Sequence, residues 1–158
     1  MDTLSHAVWG GGLFGFRGHI WIALFFGAFP DLLSFGLWLP LHMFENGLSF
    51  SRPPPLDLIP SWVFISYNLT HSLPVALSAI AVVAWWRPSI AFAMLAWPFH
   101  IVLDIPFHSS EFFPTQLFWP FTDYFIDGMP WTQPWVWFSN IAGLLMLWLW
   151  RWRGTYAR

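Results

Sequence analysis

The chain has 158 residues, 57% of them hydrophobic and 9% charged, with 14 Trp, 18 Phe and a mean hydropathy of +0.55; soluble domains carry about 25% charged residues, so this composition indicates a membrane protein. All six basic residues are arginines and the net charge is −2, which excludes a basic face for nucleic acid and leaves no lysine cluster for acidic headgroups. Cysteine is absent, so disulfides, iron–sulfur clusters and thiolate zinc sites are excluded, and any metal has to be held by nitrogen and oxygen.

Five apolar segments, separated by Arg, Pro or Gly, predict one all-α membrane domain over residues 1–158, a small polytopic bundle of roughly four to five transmembrane or re-entrant helices. The first segment, Thr3 to Phe16, is Gly-rich, and at ~1.5 Å per residue it is barely long enough to cross the hydrocarbon, so it is expected to be re-entrant or tucked among the others. It starts without the basic stretch and small-residue cleavage site of a secretory signal, so the chain is expected to be mature. The second segment runs from His19 to Leu39, the third from Pro60 to Trp86, the fourth from Pro88 to Phe107 and the fifth from Pro134 to Trp150, each near the ~20 residues a crossing helix needs. Two loops fall between them, at about 41–59 with Ser51-Arg52-Pro53-Pro54-Pro55, and at about 109–133 with Phe118-Trp119-Pro120-Phe121. The second loop is expected along the membrane surface, because Trp and Tyr rings favour the headgroup level. Neither loop reads as a second domain, and there is no internal repeat.

If all five segments cross in alternation, Arg17, Arg87, Arg151, Arg153 and Arg158 fall on one side and Arg52 on the other. The positive-inside rule makes the first side cytoplasmic and places both loops on the external side. Counting ~1.5 Å per residue from the turns at Arg17-Gly18 and Arg87-Pro88 puts His6 and His100 at roughly 16 to 18 Å, Asp31 at about 20 Å, His71 and Asp104 at about 24 Å, and His108 close to the outer boundary. A lone charge at such depth is costly, so these side chains are expected to face inward and share partners or metal ions.

His100, Asp104 and His108 form an H-x3-D-x3-H run. Residues four apart share a helix face, so the run aims two imidazoles and a carboxylate at one point, where other segments bring His6, Asp31 and His71. These six are the expected metal ligands, and the nitrogen and oxygen donors suit a divalent ion, zinc first. Such a number exceeds the protein ligands of one open zinc site, so roughly one to three ions are expected, with two, bridged by Asp104 or Asp31, preferred. Asp2, four residues before His6, is expected to orient it. His19, His42, Glu45, Asp57, Asp123 and Asp127 sit at segment edges or in loops and are expected to be solvated. Glu111 lies close enough to the external mouth to act as an accessory acid.

The ordered set Met1-Asp2-Thr3-Leu4-Ser5-His6, Phe29-Pro30-Asp31, Thr70-His71-Ser72, His100-Ile101-Val102-Leu103-Asp104 with His108, and Trp119-Pro120-Phe121 resembles the YdjM-like family of membrane-bound metal-dependent hydrolases, from residue 1 to about 121. The resemblance implies a helical inner-membrane protein whose hydrolase site is carried by His6, Asp31, His71, His100, Asp104 and His108. Many members have His-Arg shortly before Thr-His-Ser, where this chain has Ser66-Tyr67, which removes an extra ligand and an anion-binding guanidinium. The ligand order is more distantly similar to zinc-dependent phospholipase C and the related single-strand nucleases, a likeness that does not settle a substrate.

The expected function is a membrane-bound, metal-dependent hydrolase, phosphoesterase- or phospholipase-like, in which a metal-activated water attacks a lipid ester or phosphoester in an outward-facing site. Asp31, His71 and Asp104 are expected to carry the catalysis. The partner is membrane lipid, bound as an anion by the ions themselves, and no nucleic acid is expected. The alternative is a transition-metal or proton transporter, since intramembrane His/Asp chains also mark transporters. A transporter needs polar residues continuing inward, whereas Val82, Val83, Trp85, Trp86 and Phe92 make the inner half apolar and aromatic. A scaffold around a structural metal would need a closed site. The metalloprotease H-E-x-x-H and the serine hydrolase G-x-S-x-G are both missing.

Overall fold

The computed structural model describes residues 1–47, 55–110 and 113–156, without the side chains of residues 46, 155 and 156. Arg52, Glu111 and Arg158 lie outside the described residues, as does most of the Ser51–Pro55 run. Among the described residues the chain is all-helical, with no strand.

Helix α1 (Thr3–Phe14) is capped by Asp2, whose side chain accepts from Ser5 N at 2.8 Å and from Ser5 Oγ at 2.6 Å. These bonds satisfy a donor that the first helical turn would leave open, and they engage both carboxylate oxygens. Asp2 is therefore the cap of α1 and not an orienting partner of the His6 side chain. Helix α2 (Ile20–Asn46) carries Pro30 and Pro40 inside it. A third segment breaks into α3 (Ser61–Thr70) and α4 (Leu73–Trp86), which meet at 56°. Helices α5 (Pro88–Met94) and α6 (Ala96–Asp104) follow each other almost without interruption, and the 3-10 turn Ile105–Phe107 ends them. The last helix is α7 (Pro134–Tyr156).

Two stretches are long and apolar enough to cross a membrane, Ile20–Glu45 within α2 and Pro88–Phe107 through α5 and α6, and the bent α3–α4 pair makes a third if it acts as one span. Helix α1 has 12 residues, about 18 Å at the helical rise, and falls short of the hydrocarbon thickness. It is tucked against α2 instead. Helix α7 has the length, at 23 residues, but its five tryptophans and two arginines keep its hydropathy below that of the other spans.

Three of the described arginines, Arg17, Arg87 and Arg151, gather at one end. His19 Nε2 lies 3.1 Å from Ser89 Oγ, which sets the α1–α2 and α4–α5 turns side by side, with Arg87 at the second turn. The Arg17 guanidinium lies 4.0 Å from the Phe92 ring centroid, and that of Arg151 lies 4.7 Å from the Phe16 centroid.

Close contact between α1 and α2 depends on glycine. A Cβ on Gly27 would stand 2.5 Å from His6 O, and one on Gly10 would stand 2.7 Å from Ala23 O. Absence of both side chains lets the two backbones approach.

Residues 113–133 do not lie wholly on the surface, as the sequence suggested. Phe121 and Tyr124 are exposed, but Phe113, Thr115 and Leu117 are buried. Their stretch covers the α3–α4 break, where Leu73 N donates to Leu117 O at 2.9 Å and Ser72 Oγ to Trp119 O at 2.6 Å. A broken helix frees backbone and side-chain groups that need partners inside an apolar bundle, and the loop supplies them.

Candidate metal centre

Four helical elements deliver the centre. His6 sits one turn into α1, Asp31 follows Pro30 in α2, His71 caps the end of α3, and His100 and Asp104 lie one turn apart on α6. His71 stands at the break because Ser72 starts α4, accepting from Val75 N at 3.3 Å. Thr70 closes α3 by donating to Ser66 O at 2.8 Å, and its freed carbonyl accepts from Trp97 Nε1 at 2.6 Å. His108 lies just past the 3-10 turn, and its backbone N–H still donates to Asp104 O at 3.1 Å, which keeps the four-residue register of the run.

Three of the histidines are held by the same device. His71 Nδ1 donates to Tyr67 O at 3.0 Å, His100 Nδ1 to Gly27 O at 2.7 Å, and His108 Nδ1 to Phe113 O at 2.9 Å. A carbonyl can only accept, so each neutral ring carries its proton on Nδ1 and turns the Nε2 lone pair toward the carboxylates. Backbone or carboxylate acceptors behind a histidine are what orient it as a metal ligand. The His71 ring is further held by Tyr67, stacked on it with centroids 3.8 Å apart.

Asp31, His71, His100 and Asp104 each point one ligand atom into the same space, all within 4.8 Å of one another. His71 Nε2 and His100 Nε2 are 3.2 Å apart. Asp31 Oδ1 is 3.7 Å from both nitrogens. Asp104 Oδ2 is 3.6 Å from His71 Nε2 and 3.1 Å from His100 Nε2. Ligands about 2.0–2.1 Å from a tetrahedral ion stand roughly 3.4 Å from each other, so these five edges outline a tetrahedral cage. Two facing imidazole lone pairs with two carboxylates beside them can hold a positive centre between them. A proton can be shared by only two of the four donors, whereas a divalent ion engages all of them. Such an ion also accounts for the buried Asp104 Oδ2, which has no hydrogen-bond partner although two Nε2 atoms stand close to it.

The other oxygen of Asp104 faces a different set. Met1 N lies 2.6 Å from Oδ1, His6 Nε2 3.0 Å and His108 Nε2 3.5 Å. His6 is fully enclosed and stacks on His100 with centroids 3.7 Å apart, yet neither of its nitrogens makes a hydrogen bond. Only the Asp31 and His108 side chains keep some exposure, 14% and 13%, and they mark the mouth.

All six sequence-predicted ligands thus meet around Asp104, but not equivalently: four form the cage, while His6 and His108 address the opposite oxygen. His6, from the short α1, and His71, from the α3–α4 break, both reach toward Asp104. His19 and His42 stay outside, the first on Ser89 and the second stacked on Trp38. Glu45, Asp57, Asp123 and Asp127 are exposed. Sequence reasoning missed Tyr67, whose hydroxyl lies 3.2 Å from His108 Nδ1 and 3.0 Å from Thr115 Oγ1 and donates to Phe113 O at 3.1 Å. Its position four residues before His71 was the available signal.

Comparison with protein-family models, with curated proteins and with solved structures finds no match, so the centre stands on its own geometry.

Proposed function

We propose that the chain is a membrane-embedded, metal-dependent hydrolase that cleaves an ester or phosphoester of a membrane lipid, as the YdjM-like resemblance implies. The observation that carries the reading is the tetrahedral cage of Asp31, His71, His100 and Asp104 inside an apolar bundle. Its two-nitrogen, two-oxygen donor set and roughly tetrahedral edges suit zinc. A zinc ion held there supplies a Lewis acid that brings a water toward a pKa near ~7 and polarises the scissile group.

The residues do the rest. His71, His100 and Asp104 would hold the ion, with Nδ1–H bonds to backbone fixing both rings. Asp31, whose Oδ1 makes the longest edges to the histidines at 3.7 Å, would yield the fourth position to water. Asp31 sits at the mouth, and its Oδ2 is buried without a partner, placed to accept the proton that the attacking water releases. Arg17, Arg87 and Arg151 lie at the far end of the bundle, so among the described residues no guanidinium stands beside the centre and the metal itself has to bind an anionic headgroup. By the positive-inside rule that arginine-rich end is cytoplasmic and the mouth opens outward, and the YdjM-like resemblance implies that the membrane is a bacterial-type inner membrane.

A transporter needs a path inward from the centre. Val82, Trp85 and Trp86 face out of the bundle and do not form the seal that the sequence suggested. The seal is instead the contact of Ala23, Ala93 and Ala96 with Phe14, Ile22 and Phe26, one turn below His100 and Gly27. This packing supports a one-sided pocket.

Metal analysis of the purified chain against His71→Ala and Asp104→Ala, paired with hydrolysis assays on phospholipids and isoprenoid phosphates, tests the reading. Stoichiometric zinc in the wild type, its loss in both variants and metal-dependent turnover of at least one lipid are expected. Full metal retention in both variants would refute the ligand set. Metal uptake into vesicles without any ester turnover would replace the hydrolase with a transporter.

A further inference from the structure

We infer that Asp104 is a bridging carboxylate, and that a second divalent cation would be held by its Oδ1 and by His6 Nε2, with His108 Nε2 reaching it only through water. The inference rests on the metal reading of the four-donor cage but concerns donors outside it.

Three observations carry it. His6 is an enclosed imidazole with no hydrogen bond at either nitrogen, and a buried ring left so, facing a carboxylate, calls for a partner beyond the chain. Its Nε2 stands 3.0 Å from Asp104 Oδ1 without hydrogen-bond alignment, the separation expected of two ligands on one ion. Asp104 itself is divided, with Oδ2 turned to His71 and His100 and Oδ1 to His6 and His108. Carboxylates with one oxygen on each of two ions are the usual bridge of a two-metal hydrolase centre. Met1 N, 2.6 Å from Oδ1, occupies one lone pair of that oxygen and leaves the other for a cation.

Among the described residues only the four-donor cage brings three or more ligand atoms within 4.8 Å of one another, so His6 and His108 stand too far apart to share one ion and the second position has two protein ligands. The second position is therefore the looser one. Water completes its ligand shell, and His108, partly exposed and held by Tyr67 and Phe113, lies on its open side. It is consequently the ion that exchanges first.

Zinc stoichiometry of the full-length chain tests this. Two ions are expected in the wild type and one in His6→Ala, with the more weakly held half of the wild-type zinc leaving first under chelator. One ion in both proteins overturns the second position while leaving the cage intact, whereas no ion in the wild type removes the cage as well. A measurement on the unaltered protein covers the case in which His6→Ala does not fold. Loaded with Mn2+, wild type is expected to give the electron paramagnetic resonance of two coupled ions, and a spectrum of isolated ions alone overturns the inference.

Discussion

Asp104 is the residue on which the centre turns, because it is the one group that all four histidines approach. A carboxylate this enclosed is tolerated only when its lone pairs are engaged; Met1 N meets Oδ1, while Oδ2 has no hydrogen-bond partner and is left for an ion. Tyr67 shows how a single side chain serves two of the histidines. Its ring and carbonyl hold His71, and its hydroxyl supports His108. Tyr67→Phe keeps the ring and the carbonyl and removes only the hydroxyl. We expect it to weaken metal affinity by roughly tenfold, the lower end for loss of a group behind a ligand, with unchanged helical circular dichroism. Titration with a competing zinc indicator measures the change, and wild-type affinity would show that the hydroxyl contributes nothing to the centre.

At the scale of elements, the centre depends on two departures from regular helix packing. Pro30 interrupts the hydrogen bonding of α2, and in the turn before it the Gly27 carbonyl receives His100. The α3–α4 break allows His71 to leave the helical register while Thr70, Trp97, Ser72 and the loop carbonyls satisfy the backbone around it. The α1–α2 contact then sets how far His6 reaches. Gly27→Ala places a methyl 2.5 Å from His6 O, against backbone that cannot rotate away, so α1 has to shift. Overpacking of this kind costs about 1–3 kcal/mol. Thermal unfolding in detergent is expected to show that loss together with reduced zinc content. Wild-type values of both would mean that α1 and α2 do not meet at this glycine.

For the whole molecule, the centre ties together segments that lie far apart along the chain. Helices α1, α2, α3 and α6 all end on the same few atoms, while α7 is joined near the centre through Asn140, which donates to Ser5 Oγ at 2.7 Å and accepts from Trp9 Nε1 at 2.8 Å. An ion that binds only the folded chain stabilises it by about 2.7 kcal/mol at a hundredfold excess over its Kd. Chelation is therefore expected to lower the melting temperature of the wild type and to leave that of a His71→Ala, His100→Ala double variant unchanged. Equal shifts in the two proteins would show that the metal is bound elsewhere.

The all-helical class, the apolar segments and the metal-type residues were legible in the chain because each depends on local composition and spacing. Four-residue intervals put His100, Asp104 and His108 on one face whatever surrounds them, and an excess of apolar side chains over charges points to lipid in any fold. Which oxygen of Asp104 serves which histidine was settled by the tertiary structure alone. So were the insertion of residues 113–117 over the α3–α4 break, the capping role of Asp2 and the orienting role of Tyr67. Each of these follows from where unsatisfied backbone groups and crowded helices find partners far away along the chain, and spacing carries no record of that.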